Sequence, residues 1–299
     1  MMDQQALIDS GMISKKTAAV YDVKFVDLFK SLPWQEWFKD GGDPLDCRLE
    51  YLDTYKLYLD NMRLSTVIGL ERFRQHHLIN GTTQTFDETY YRYAYRRLRM
   101  YRGEYAYHMR IVKDWQFIED GPIESGDYVI VSVPHATTGD VPQGFYAMLD
   151  RCAELNVPVI VDCAYIGTCV DVQLSVDHPA IESVSFSLTK GTGTGHIRSG
   201  IRFSNIDDDM PICQQNRYNH TILGAAKVGI WFMQNLKSPD FIPEKYRQSQ
   251  LDVCAEVGIT PTKCMHIALG GPEWSDFAIG DYNRLGIRGL VKARKQGRI

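Results

Sequence analysis

Long apolar runs are missing from this 299-residue sequence: none approaches the roughly 18 residues that would cross a bilayer. The opening MMDQQALIDSG has neither the basic nor the apolar region of a signal peptide, so no targeting segment is expected. Excess positive charge is also missing. Thirty-three Lys and Arg face 37 Asp and Glu, a net charge of -4 with a sequence pI near 6.1, and no global basic field points to nucleic acid or an anionic membrane. Two local basic runs, Arg96-Arg97-Leu98-Arg99 and Lys292 to Arg298, read as solvated faces. There is no CxxC pair among the seven scattered cysteines (Cys47, Cys152, Cys163, Cys169, Cys213, Cys254, Cys264), an odd number. That argues against a disulfide framework or a zinc site, so no metal is expected, and for reduced thiols in the cytoplasm. No internal repeat or low-complexity stretch stands out.

What is present is an ordinary globular composition, 44% hydrophobic and 23% charged, in a chain long enough for one large domain with a lobe or two modest domains. Helical patterning over Ala18 to Leu32 leads into Pro33-Trp34-Gln35-Glu36-Trp37-Phe38, and Gly41, Gly42 and Pro44 suggest a turn or linker. Residues 45–79 read as helical; Asn80-Gly81-Thr82-Thr83 breaks the pattern, and a further helix is expected over Thr85 to Met100. Beyond residue 105 the period changes. Tyr128 to Val133, Val157 to Val161, Ser183 to Ser187 and Gly200 to Ser204 read as buried strands, with a helix over Phe145 to Leu155 between the first two. Strands separated by helices imply βαβ units and a mainly parallel sheet with helices on both faces. Gln214 to Leu236 and Lys245 to Val257 read as helices, followed by strand-like pieces over Met265 to Leu269 and Arg284 to Val291 in a small terminal α/β lobe.

The chemistry-bearing residues fall after strands, where open α/β sheets bind ligands. In Ser187-Leu188-Thr189-Lys190-Gly191-Thr192-Gly193-Thr194-Gly195-His196-Ile197-Arg198 a lysine precedes a glycine-rich loop and an arginine follows eight residues later. A P-loop would need the glycines before the lysine. A dinucleotide fingerprint would need a glycine where Arg198 stands. A lysine that forms a Schiff base with pyridoxal phosphate (PLP), with hydroxyls and an arginine for the phosphate, accommodates the order. Taken alone, such a loop is more often a surface turn. Asp162-Cys163-Ala164-Tyr165 closes a strand; its carboxylate could hold a pyridine nitrogen protonated and its phenol could bond the ring oxygen. Taken alone, Asp162 is as readily a helix cap and Tyr165 a core aromatic.

Asp162 and Tyr165, then Ser187 and Lys190, then Arg198, stand at the spacings of D-x-A-Y, S-x-x-K and a downstream arginine, and in this the sequence resembles the fold-type I, class I/II aminotransferases. Gly81-Thr82-Thr83-Gln84 resembles that family's glycine-hydroxyl turn, where a helix N-terminus cradles the cofactor phosphate. Pro134-His135-Ala136-Thr137-Thr138-Gly139 resembles its P-x-N-P-T-G loop with Ala136 in place of the asparagine, so His135, Thr137 or Tyr165 alone is left to bond the ring oxygen. Asn283-Arg284-Leu285-Gly286-Ile287 resembles the strand whose arginine holds the substrate carboxylate, with Arg288 as competitor. Tyr105, with Tyr107 next, is the candidate to stack on the ring.

The resemblance implies a large PLP-binding domain over 45–240 and a small domain of 1–44 with 241–299. It further implies a cytoplasmic homodimer acting on an amino acid or keto acid. Lys190, Asp162 and Tyr165 would be catalytic. Gly81, Thr82, Thr83, Tyr105, Ser187 and Arg198 would join them in holding PLP, and Arg284 would bind substrate. Amino-group transfer leads; a PLP-dependent lyase or decarboxylase on the same fold is the alternative, and a non-catalytic PLP-fold binding or regulatory protein the second.

Overall fold

The computed structural model describes residues 4–37, 44–195, 197–236 and 238–299. Its largest sheet has seven strands: β1 (Gln75–Ile79), β2 (Arg97–Met100), β3 (Trp115–Phe117), β4 (Asp127–Ser132), β5 (Val159–Asp162), β6 (Ile181–Ser187) and β7 (Gly200–Ser204), in the spatial order β1-β7-β6-β5-β4-β2-β3. Only β7 runs against its neighbours; the other six strands point the same way. Every residue of β4 and β5 is buried, as their continuous Val/Ile runs require of strands covered on both faces. Helix α5 (Phe145–Glu154) turns Phe145, Met148, Leu149 and Cys152 inward, the i, i+3, i+4, i+7 stripe of a helix lying on a sheet. Helices α2 (Pro44–Asp60), α3 (Thr82–Arg92) and α7 (Leu223–Asn235) complete the layers used below. The mainly parallel sheet with covering helices is therefore as expected.

A smaller antiparallel sheet, β8 (Thr260–Pro261), β9 (Ile267–Gly270), β10 (Ala278–Ile279) and β11 (Tyr282–Gly286), is ordered β8-β9-β11-β10. It packs with α8 (Phe241–Val257) and α9 (Arg288–Lys295) around Ile242, Trp274, Leu285 and Leu290, and Leu7, Ile13 and Val20 from the beginning of the chain join this second core. Ser14 adds a rung to the small sheet through reciprocal bonds with Gly286.

Several expected elements differ. The helix expected over 45–79 stops at Asp60; Thr66–Ile68 pairs with Gln173–Ser175, and 75–79 is the strand β1. β1 looks polar because its buried His77 is met by the Arg202 guanidinium of β7. The helix expected over Thr85 to Met100 runs from Thr82 to Arg92, and 97–100 is β2. Arg99 of that strand is fully buried: Asp127 and the carbonyls of Phe117, Gly121 and Pro122 accept from its two terminal guanidinium nitrogens. The Arg96–Arg99 run is thus partly a buried ion-pair network rather than a solvated face. Gln214 to Leu236 is broken at Tyr218–Ile222, where Asn219 has φ 56°. The strand expected over Arg284 to Val291 ends at Gly286 and gives way to α9. In the basic tail Arg294 pairs with Glu256, and the Lys292 ammonium lies 4.0 Å from the centroid of the Tyr21 ring. Gly41 and Gly42, taken as a linker, lie outside the described residues.

Candidate active site

Five co-directional strands end at one edge of the large sheet, and each delivers a functional side chain there. β1 leads to Gly81, Thr82 and Thr83; β2 to Glu104 and Tyr105; β4 ends at Ser132, ahead of Ala136; β5 ends at Asp162, ahead of Tyr165; β6 ends at Ser187, ahead of Lys190. Arg198 stands just before the reversed strand β7. Thr82, Thr83, Tyr105, Asp162, Tyr165, Ser187, Lys190 and Arg198 line a single cavity, with Phe86, Ser132 and Ala136 among its remaining walls.

One end of this cavity is built for an anion. Gly81 caps α3 with φ 70° and ψ 169°, a conformation essentially open to glycine alone, and the first amides of the helix face outward behind it. Arg198 donates to Thr83 Oγ1 at 2.9 Å, and a Cβ at position 81 would come within 2.8 Å of its guanidinium. A helix N-terminus and an arginine fork meeting at one point, with hydroxyls between them, suit a phosphate dianion. Ser187 Oγ and Thr189 Oγ1 share a hydrogen bond of 2.8 Å on the adjoining wall.

Asp162 is 7% exposed and accepts from the Ala164 amide at 3.0 Å. Burial, reinforced by the charge of Glu104, pushes its carboxyl up to about 7 against the pull of Ala164 N–H, Lys190 and Thr82. The half-buried Lys190 has its ammonium 5.0 Å from the centroid of the Tyr165 ring. Burial lowers its pKa and Arg198 adds to that, while Asp162 and Cys264 oppose it. The Tyr165 hydroxyl donates to the Thr17 carbonyl at 3.3 Å, and burial raises its pKa. Tyr105, nearly half exposed, stacks on Tyr107 with centroids 5.9 Å apart; only Tyr105 lines the cavity, Tyr107 being bonded to Asp87.

At the Ala136 departure, Thr137 donates to the Gly103 carbonyl at 2.6 Å. His135 is buried and lies outside the cavity lining, which leaves Tyr165 as the nearby hydroxyl. Arg284 is bound by its guanidinium to the carbonyls of Ala136 (3.1 Å) and Lys15 (3.4 Å), beside the cavity wall rather than on it. Arg288 instead lines a neighbouring cavity of about 660 Å³ that also reaches Lys190 and includes Tyr21, Phe25 and Phe29.

The residue reading of the sequence missed the buried Glu104 and Ser132. It also missed the Cys264–His266 pair (Sγ to Nδ1 3.3 Å) behind Tyr165, whose ring is 4.8 Å from that of His266. Glu104 adjoins the candidate Tyr105 in sequence, but nothing local marks it as buried.

An anion cradle, a half-buried lysine with no ion pair among the described residues and a protonatable carboxyl fit PLP. No family model and no curated protein matches this sequence. Solved structures do match, along nearly the whole chain, and the fold they define is that of the type I PLP-dependent transferases. One is a probable N-succinyldiaminopimelate aminotransferase from Thermus thermophilus, with TM-score 0.64, 13% identity, and 99% of this chain and 97% of that one covered. A second is a histidinol-phosphate aminotransferase from Clostridium acetobutylicum, with TM-score 0.62, 13% identity and coverage of 94% and 97%. A third is a PLP-dependent β-cystathionase, described as putative, from Corynebacterium diphtheriae, with TM-score 0.64, 11% identity and coverage of 94% and 91%.

Proposed function

We propose that this chain is a PLP-dependent aminotransferase acting on an amino acid or related amine, with the cofactor carried on Lys190. The observation that carries this reading is the convergence in one cavity of Lys190, Asp162, Tyr165 and the Gly81–Thr83/Arg198 anion cradle. Bound PLP supplies an electron sink for the bond broken at the substrate Cα. Arg198, Thr82, Thr83 and the amides at the start of α3 would bind its phosphate, with Ser187 beside them. Asp162 would face the ring nitrogen, Tyr165 the ring oxygen and Tyr105 the ring face. The Lys190 amine, once free, would take a proton from Cα and return it; its lowered pKa gives more of the neutral base at a given pH. Arg284 is proposed for the substrate carboxylate, for which it must exchange a backbone carbonyl bond.

A PLP-dependent lyase is the second reading. It is favoured by the β-cystathionase among the matching structures and by Ala136, which offers no side-chain donor where the resemblance expects an asparagine. The proposal extends to a homodimer in the cytoplasm, divided into a large domain over 45–240 and a small one of 1–44 with 241–299. The seven free cysteines support a reducing compartment, and the core that Leu7, Ile13 and Val20 share with residues 242–291 supports the division. No described helix is long and apolar enough to cross a membrane.

Purified protein incubated with PLP should show a visible absorption band that borohydride abolishes, and Lys190→Ala should lose the covalent cofactor while keeping its circular dichroism. Absence of the band in the wild type would sink the cofactor assignment. Amino donors should convert the loaded protein to the pyridoxamine form; release of ammonia or carbon dioxide without that conversion selects the lyase or decarboxylase. Light scattering checks the dimer.

A further inference from the structure

Behind Asp162 sits a second carboxylate with no cation on it. Glu104 is 3% exposed, and its oxygens accept from the Ser132 amide (2.8 Å), the Ser132 hydroxyl (2.5 Å) and the Tyr105 amide (2.8 Å). All three donors are neutral, and among the described residues Glu104 makes no ion pair. Ser132 is the register partner of Asp162 across the parallel β4–β5 pair, so the two side chains leave the sheet on the same face, and both line the cavity. Asp162 likewise has a backbone amide and the Thr82 hydroxyl for partners. Two buried carboxylates held side by side by neutral donors resist ionising together unless a positive charge is brought to them. An arginine or lysine normally serves that purpose, as Arg202 does for Glu88 under β7.

We propose that Glu104 is a positioning residue: seated on Ser132, it makes the end of the cavity at Asp162 a two-carboxylate site for one cationic ring nitrogen. This rests on the PLP reading above for the identity of the ring, but the electrostatic claim belongs to the chain alone. The groups facing the pair are Lys190 and Thr82 on the side of Asp162, and His108, His135 and Arg284 around Glu104. Burial depresses both histidines, and His108 is held at about 4 with Nδ1 bonded to the Tyr90 hydroxyl, so near neutral pH the cation facing Glu104 is the Arg284 guanidinium, which is bonded to the Ala136 and Lys15 carbonyls and not to Glu104. In the chain alone the Asp162 carboxyl, raised by burial and by the Glu104 charge, therefore keeps a proton up to about pH 7. A pyridinium arriving beside Asp162 would allow that proton to leave to solvent, and the protein would release it as the ring binds.

The test has two arms. In the full-length chain without cofactor, carboxyl carbons of ¹³C-aspartate-labelled protein are titrated by NMR, with Asp162→Asn assigning the signal. Asp162 should titrate near pH 7. Glu104→Gln, which loses the charge and leaves one backbone amide facing an NH2 that cannot accept, should move the midpoint down by about one pH unit, a tenfold fall in proton affinity. Ser132→Ala, which keeps the charge and loses one bond, should move it less. In the second arm, the pH midpoint of the visible band of PLP-loaded protein is compared; without the Glu104 charge, positive charge on the bound ring system is less favoured and the midpoint should fall. An unchanged Asp162 midpoint in Glu104→Gln, or equal shifts in Glu104→Gln and Ser132→Ala, overturns the proposal whatever the cofactor. Retention of the carboxyl result with no visible band in any protein overturns instead the PLP reading and the ring assignment built on it. Should Glu104→Gln not fold, Glu104→Asp carries the test: it draws the charge back from Asp162, so the midpoint should fall, and an unchanged midpoint refutes the claim.

Discussion

At the scale of single residues, the cavity is a set of groups held in charge states that water would not favour. Asp162 shows the consequence for stability. Its carboxyl is raised from 3.8 to about 7, so the folded chain keeps a proton that the unfolded chain has released. The contribution to stability is fully present below the ordinary carboxylate range and is lost as pH rises toward 7, on the order of 3–4 kcal/mol across that window. Thermal melts of the cofactor-free protein should thus fall in Tm between about pH 4 and 7, and Asp162→Asn should flatten that part of the slope. A wild-type slope equal to that of Asp162→Asn would refute the assignment. That Lys190, Asp162, Tyr165, Ser187 and Arg198 belong together was legible from offsets within two short motifs, and the five line one cavity. Glu104 was not, because its role comes from burial against Ser132, which lies 28 residues away. Arg284 was legible as a residue but not as a contact: its bonds to the carbonyls of Ala136 and Lys15 join three distant parts of the chain.

The turn between β1 and α3 is the element on which the anion site depends. Gly81→Ala would place a methyl 2.8 Å from the Arg198 guanidinium at a backbone conformation that costs other residues about 1–3 kcal/mol. We expect PLP affinity to fall at least tenfold, with a smaller loss of stability; equilibrium binding followed by absorbance checks it, and affinity within twofold of wild type would show that the cradle is not used. Further along α3, Glu88 accepts from Arg202 at 2.6 Å and from the Ile212 amide at 2.6 Å, fixing the helix to β7 and to Pro211–Arg217. Removing one partner of such a buried pair strands the other, so Glu88→Ala should destabilise the protein by roughly 3–5 kcal/mol in urea unfolding. Elements were readable where local pattern and burial agree, as in the all-apolar β4 and β5. They were misread where buried charge disguises a strand: β1 hides His77 against Arg202, and β2 hides Arg99 against Asp127.

For the whole molecule, the cavity is lined by residues of the large-sheet part, and backbone bonds tie one of its walls to the second core. Tyr165 reaches the Thr17 carbonyl, Met265 N–H donates to the Thr168 carbonyl, and Val170 N–H to that of Lys263. A ligand bound there should stabilise both parts together. PLP at a hundredfold excess over its Kd should add about 2.7 kcal/mol. Calorimetry should show this as one shifted transition, with slower amide exchange in β11 as well as in β4 and β5. Protection confined to the large sheet would mean that the small sheet takes no part in binding. The sequence by itself determined the α/β class, four of the central strands and the spacing of the lysine and aspartate motifs, because strand periodicity and motif spacing are local along the chain. Only the tertiary structure decided that β1 and β2 are strands, that Arg284 is held by backbone carbonyls while Arg288 lines a neighbouring cavity, and that Glu104 stands behind Asp162. Each of these rests on pairing between segments far apart in sequence, where buried charges are made tolerable by partners the local sequence does not contain.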